Sequence, residues 1–194
     1  MATKEQKTQD PYTEADRKWP VLARSIEQAM AAKQYAEAED LALFAMELME
    51  EYDDSDPRLI QTLQTLSRIY YATERYKNGA PVLKRLIKIY TRLTGERSVE
   101  TSTIVQNAAL LYHYWGKKEE AERYFKEAID AKTHLLGEKD PQVIKLQTHY
   151  IKFLEDHGRK DEAYRIKEKI LRTKETDTMS RTGRWETMQT GSST

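Results

Sequence analysis

The feature that most constrains this chain is a spacing of 42 residues. Asp56-Pro57, Ser98-Val99 and Asp140-Pro141 begin at 56, 98 and 140, a step of 42 each time. Leu93 and Leu135 are separated by the same step, as are Gly95 and Gly137. Tyr70, Tyr112 and Leu154 follow it as well. A small residue recurs at Ala38, Gly79, Ala121 and Ala163, with steps of 41, 42 and 42. Self-similarity at a fixed period is the mark of a repeat array. One such unit cannot bury its apolar face alone, so neighbouring units stack.

The stretch from Asn107 to Pro141 shows what is repeated. Ala109 and Tyr112 share one face of a first helical pattern. Ala121, Phe125 and Ala128 share one face of a second, at i, i+4 and i+7. Alternating small and large residues let two helices approach closely. Gly116 ends the first helix without a β-carbon penalty. Asp140-Pro141 then opens the next helix, with Asp as N-cap and Pro at the first helical position. The unit is a helical hairpin. Eight helices are expected, near 20–33, 36–52, 57–73, 77–94, 99–115, 118–136, 141–157 and 160–174.

The small-x-x-Tyr of the first helix, the turn Gly and the Ala opening the second helix resemble the tetratricopeptide repeat. The 42-residue period, the stretch Asn107-Ala108-Ala109-Leu110-Leu111-Tyr112 and the linker Leu-Leu-Gly-Glu-Lys-Asp-Pro are similar to the repeats of kinesin light chains. The likeness runs from about Trp19 to Thr173. It departs from the pattern in the first unit, where Ala29 replaces the Tyr and the turn has no Gly. The resemblance implies an all-α fold, an α-solenoid of four tandem hairpins in a right-handed superhelix. The expected organisation is a polar extension over 1–18, repeats over 19–174 and a Ser/Thr-rich tail over 175–194. The units run about 19–56, 57–98, 99–140 and 141–174. Trp19-Pro20 is expected to open the first helix, with Trp19 covering the open end. Thr13 to Asp16 reads as the cap of a short helix. The eighth helix is expected to close the other end. Residues 1–12 and the tail with Trp185 lack periodicity and are expected to be disordered.

Composition removes most chemistry. The chain has no cysteine, so disulfides, thiolate zinc sites and thiol nucleophiles are excluded. It carries no Gly-x-Gly-x-x-Gly, no Walker loop and no Gly-x-Ser-x-Gly. His113 and His149 fall on first helices of neighbouring units, but two histidines make a thin ligand set for a metal. Glu119-Glu120 and Asp161-Glu162 open helices, where acidic residues complement the helix dipole. An enzyme is therefore not expected, nor a cofactor or metal. Basic residues do not share a strip with aromatics, so nucleic acid is not an expected partner. The N-terminus has no apolar signal region and no run approaches the length of a membrane span, so a cytoplasmic protein is expected.

Formal charge sums to zero over the chain but is strongly segregated. From Trp19 to Pro57 stand two basic and ten acidic residues, a balance near −8. From Arg58 to Ser98 stand nine basic and two acidic, a balance near +7. Such neighbours attract each other, or present a dipolar surface to a charged partner or another copy.

Binding is the role that remains. By the resemblance, the first helix of each unit lines the concave face. Taking Ile26, Ser67, Ala109 and Ile151 as equivalent buried positions places Gln64, Arg68 and Tyr71 on that face. It also places Gln106, Leu110, His113 and Tyr114 there, and Thr148 and Lys152. Two residues before the reference position stand Thr65, Asn107 and His149. In similar proteins an Asn there holds the backbone of an extended peptide, and only Asn107 keeps that identity. The expected function is an adaptor or scaffold that binds a protein or peptide segment of some acidic character. The alternative is a self-assembling structural subunit, a homo-oligomer built through charged faces and repeat ends.

Overall fold

The computed structural model describes residues 13–173. The expected disorder of 1–12 and of the tail with Trp185 concerns positions outside the described residues. Within them the helices are α1 (Glu14–Ala31), α2 (Tyr35–Glu47), α3 (Pro57–Ala72), α4 (Tyr76–Thr94), α5 (Val99–Tyr114), α6 (Lys118–Leu136), α7 (Pro141–Asp156) and α8 (160–173). No strand occurs among the described residues. The fold is all-α, four hairpins in sequence. It divides into two compact units, one ending at Ile89 and one beginning at Tyr90.

The helix starts obey the sequence signals. Asp56 and Asp140 accept from the backbone N–H groups of Arg58 and Gln142 at 2.8 and 2.7 Å, each with Pro at the first helical position. Ser98 fills the same role in α5, accepting from Thr101 N–H at 3.0 Å. Each side-chain oxygen satisfies a donor that the first turn leaves open.

The hairpin turns share one backbone. Gln34, Arg75, Lys117 and Arg159 donate N–H to the carbonyls of Ala29, Tyr70, Tyr112 and Leu154 at 2.8–2.9 Å. The residue before each donor has positive φ: Lys33 at 59°, Glu74 at 57°, Gly116 at 74° and Gly158 at 74°. The first unit therefore makes the same left-handed stop without glycine.

Three expectations change. First, α1 begins at Glu14, not near Pro20. Thr13 and Asp16 form a reciprocal capping box, Asp16 N–H to Thr13 Oγ1 at 3.1 Å and Thr13 N–H to Asp16 Oδ2 at 2.8 Å. Arg58 holds Asp16 from α3 at 2.5 Å, which ties the extra turn down. Pro20 thus sits inside the helix and leaves the Asp16 carbonyl without its usual donor. Second, Trp19 packs against the Ile26 core and its Nε1–H donates to Thr62 on α3 at 3.4 Å, so it faces inward. Third, α2 stops at Glu47. Its last turn carries no basic residue, and Glu47, Glu50 and Glu51 crowd the negative end of the dipole.

Each unit has its own core. In the first, Ile26, Ala42, Ala45, Leu66 and Tyr70 pack together, with Ala29, Ala38 and Ile69 beside them. In the second, Ala121, Phe125, Ala128, Leu111 and Phe153 are fully buried. The recurring small residues Ala38, Gly79, Ala121 and Ala163 are all buried, as close helix contact requires.

Candidate functional site

The second unit brings α5 and α7 side by side, and several of the expected residues meet there. His113 on α5 is the anchor. Its Nε2 lies 3.1 Å from Asp156 Oδ2 on α7, so the tautomer protonated at Nε2 donates to the carboxylate. The ring is caged by aromatics, edge-on to Phe125 and Phe153 at 6.3 and 5.4 Å and stacked on Tyr114 at 5.1 Å. His157, not His149, is its histidine ring neighbour, at 6.1 Å. Only 9% of the His113 side chain is exposed. Burial pushes its pKa below the ordinary value, and Asp156 opposes the shift without overcoming it.

On this base stand groups open to solvent. Tyr114 is 45% exposed, and Lys152 Nζ lies 5.9 Å from its ring centroid. Asn107 is exposed earlier on the same helix, α5. Leu110 is half-buried between them, and Thr148 is exposed on α7 with its hydroxyl donating to the Ile144 carbonyl. His149 occupies the α7 position equivalent to Asn107. Its Nδ1 is buried with no hydrogen-bond partner among the described residues. Burial lowers its pKa first, and Lys145, Lys152 and His113 lower it further.

Gln106 is less available than the sequence implied. Its Oε1 accepts from Lys132 Nζ at 2.9 Å. Lys132, near the end of α6, is only 2% exposed, and its pKa is lowered by burial while Asp140 pulls it back. Sequence reasoning missed this buried cation. The signal was there: 121, 124, 125, 128, 131 and 132 form one helical stripe, and Lys132 stands on it.

Gln64, Arg68 and Tyr71 lie on α3, in the first unit. Arg68 and Tyr71 are exposed and Gln64 is half-buried. Tyr71 meets Tyr76 edge-on at 6.3 Å, and the Gln64 carbonyl accepts from Ser67 Oγ at 2.8 Å. The segregated charge is partly consumed within this unit. Arg58 pairs with Asp16 and Asp56, Arg75 with Glu39, and Arg85 with Asp54 at 2.7 Å. Attraction between oppositely charged repeats is therefore real.

Comparison with known proteins agrees with this architecture. Residues 69–134 match the tetratricopeptide repeat family model. Comparison with curated protein sequences returns no match. Two crystal structures of nearly identical TPR-like repeats of kinesin-light-chain type from Podosopora anserina, one of them a point variant, superpose well. The TM-scores are 0.74 and, for the variant, 0.72, each at 16% identity. They cover 89% and 92% of this chain, and 81% of theirs in both cases. BtubC (BKLC) from P. vanneervenii gives 0.55 at 20% identity, covering 84% of this chain and 75% of its own. Such repeats generally serve as non-enzymatic scaffolds for protein–protein interaction. No helix among the described residues is long and apolar enough to cross a membrane. Residues 69–134 thus match the tetratricopeptide repeat family model, and the chain has an all-α helical-repeat fold similar to that of TPR-like repeats of kinesin-light-chain type.

Proposed function

We propose that the α5–α7 face of the second unit binds a peptide segment of a partner protein, and that the chain is a non-enzymatic cytoplasmic adaptor. The observation that carries this is the grouping of an exposed aromatic, amide and cation on a base braced by the His113–Asp156 pair. Tyr114, Asn107 and Lys152 are open to solvent, while His113 and Asp156 fix the helices beneath them. Tyr114 offers contact area at low entropic cost, and Asn107 can both donate to and accept from an extended backbone. The exposed Lys152 and Lys145 favour a segment with acidic character. Gln64, Arg68 and Tyr71 offer the equivalent positions on α3.

The test needs no named partner. Peptides selected from a random displayed library on the wild-type chain should be enriched in Asp and Glu. They should bind the double variant Asn107→Ala, Tyr114→Ala at least tenfold more weakly, about 1.4 kcal/mol. Helicity and melting temperature should be retained, because both side chains are exposed. A control change at exposed Glu119 on α6 should leave affinity unchanged. Selected peptides that bind the double variant as well as the wild type would sink the reading.

A further inference from the structure

We propose that a second copy of this chain docks on the first unit, the acidic face of α2 on one copy lying along the lysine face of α4 on the other. The charge segregation of the first unit is only partly neutralised within it. The arginines Arg58, Arg75 and Arg85 all pair with carboxylates of the same unit. The lysines do not. Lys77, Lys84 and Lys88 are exposed on α4 at i, i+7 and i+11, with exposed Pro81 at i+4 completing one stripe. On α2, Glu37, Asp40 and Glu47 are exposed at i, i+3 and i+10. Phe44 stands among them at i+7 and is 43% exposed, large for an apolar ring in a charged surround. Among the described residues none of these six charged side chains makes an ion pair or a side-chain hydrogen bond.

The two stripes fit each other in length as well as sign. At the helical rise, Glu37 to Glu47 spans about 15 Å and Lys77 to Lys88 about 16 Å. Laid together they oppose three carboxylates to three ammonium groups around a contact between Phe44 and Pro81. Lys18 lies at the rim, 5.8 Å from the Phe44 ring, with its charge already met by Glu14. Exposed ion pairs are weak one at a time. Three in register around an apolar contact act as a network, and burial of Phe44 removes ring surface from water. Charge of one sign on each helix also selects α2 against α4 and rejects α2 against α2. Every copy carries both stripes, so the contact is self-complementary between copies, the condition for homo-oligomers.

Sedimentation of the full chain tests this. At about 0.03 M salt and protein on the order of 100 µM, the mass should exceed the 22.7 kDa of one chain, and it should fall to 22.7 kDa at about 0.5 M salt. Lys84→Glu with Lys88→Glu should give 22.7 kDa at low salt, and so should Asp40→Lys with Glu47→Lys. An equimolar mixture of the two variants should recover the larger mass, because the reversed α4 of one now meets the reversed α2 of the other. Misfolding could not produce that recovery. Asn107→Ala with Tyr114→Ala should leave the mass at low salt unchanged, which separates this surface from the peptide face. A wild-type chain at 22.7 kDa in low salt overturns the proposal, as does a mixture of reversed variants that stays at 22.7 kDa.

Discussion

The two units make the same hairpin turn from different residues. In the first, Lys33 and Glu74 hold φ at 59° and 57°, a conformation that crowds their β-carbons. In the second, Gly116 and Gly158 hold 74° with no β-carbon to crowd. Their packing differs in the same direction. The first unit adds arginine–carboxylate pairs to its aliphatic core, Arg58 to Asp16, Arg75 to the buried Glu39, and Arg85 to Asp54 nearer the surface. The second joins its helices through rings. Phe125, Tyr150 and Phe153 lie within 5.5–5.8 Å of one another, and His113 is edge-on to two of them. One backbone plan is thus supplemented by ion pairs in one place and by buried aromatic rings in another. Exposed pairs contribute little and depend on salt, whereas ring burial is larger and does not. The second unit should be the stiffer of the two, a suitable base for the α5–α7 face.

The largest test of this contrast is Phe153→Ala. Phe153 is fully buried and touches Phe125, Tyr150, His113 and His157. Its truncation should cost about 3–5 kcal/mol in urea unfolding. Arg85→Ala, which breaks the more exposed Arg85–Asp54 pair of the first unit, should cost under about 1 kcal/mol and even less in high salt. Equal costs would erase the distinction between the units.

The turns give an intermediate effect with opposite signs. A β-carbon built at Gly116 meets no atom within 4 Å, so the cost of Gly116→Ala is the backbone conformation alone, about 1 kcal/mol. The melting temperature should drop by about 2–4 °C. Glu74→Gly should move it the other way by a smaller amount, since glycine relieves the strain but loses more entropy on folding. A Glu74→Gly variant less stable than wild type would mean that the side chain contributes more than its strain removes.

The smallest effect is set by protons. All four histidines, His113, His134, His149 and His157, lie after Ile89. Burial holds His113 and His149 below the ordinary 6.5, so the folded state favours their neutral forms. The stability they contribute is present above pH 6.5. As pH falls through that value the unfolded chain takes up protons first, and the contribution is lost towards the lower folded values. Amide exchange, corrected for its intrinsic pH dependence, should therefore show α5 and α7 loosening as pH falls below 6.5. Helices α1 to α3 should not respond in that window. His149→Asn should reduce the response in α7. An equal response in both units would contradict the assignment to these histidines.

Local signals carried much of this structure. The caps at Asp56, Ser98 and Asp140 and the buried small residues at 38, 79, 121 and 163 depend on chemistry within a few positions of each residue, repeated at one period. So do the turns at Gly116 and Gly158. The hairpin, its repetition and the all-α fold class are therefore written along the chain. The candidate face was legible only as a set of positions. Which of them are already engaged depends on partners far away in sequence. Gln106 is held by Lys132, His113 by Asp156, and the start of α1 by Arg58, at separations of 26, 43 and 42 residues. Trp19 turned inward for the same reason, because Thr62 of α3 offers its indole an acceptor. The sequence alone determined the helical-repeat plan, since caps, turns and apolar periods act locally. Only the tertiary structure decided which polar groups remain available to a partner, since that depends on which distant side chain desolvates or pairs each one first.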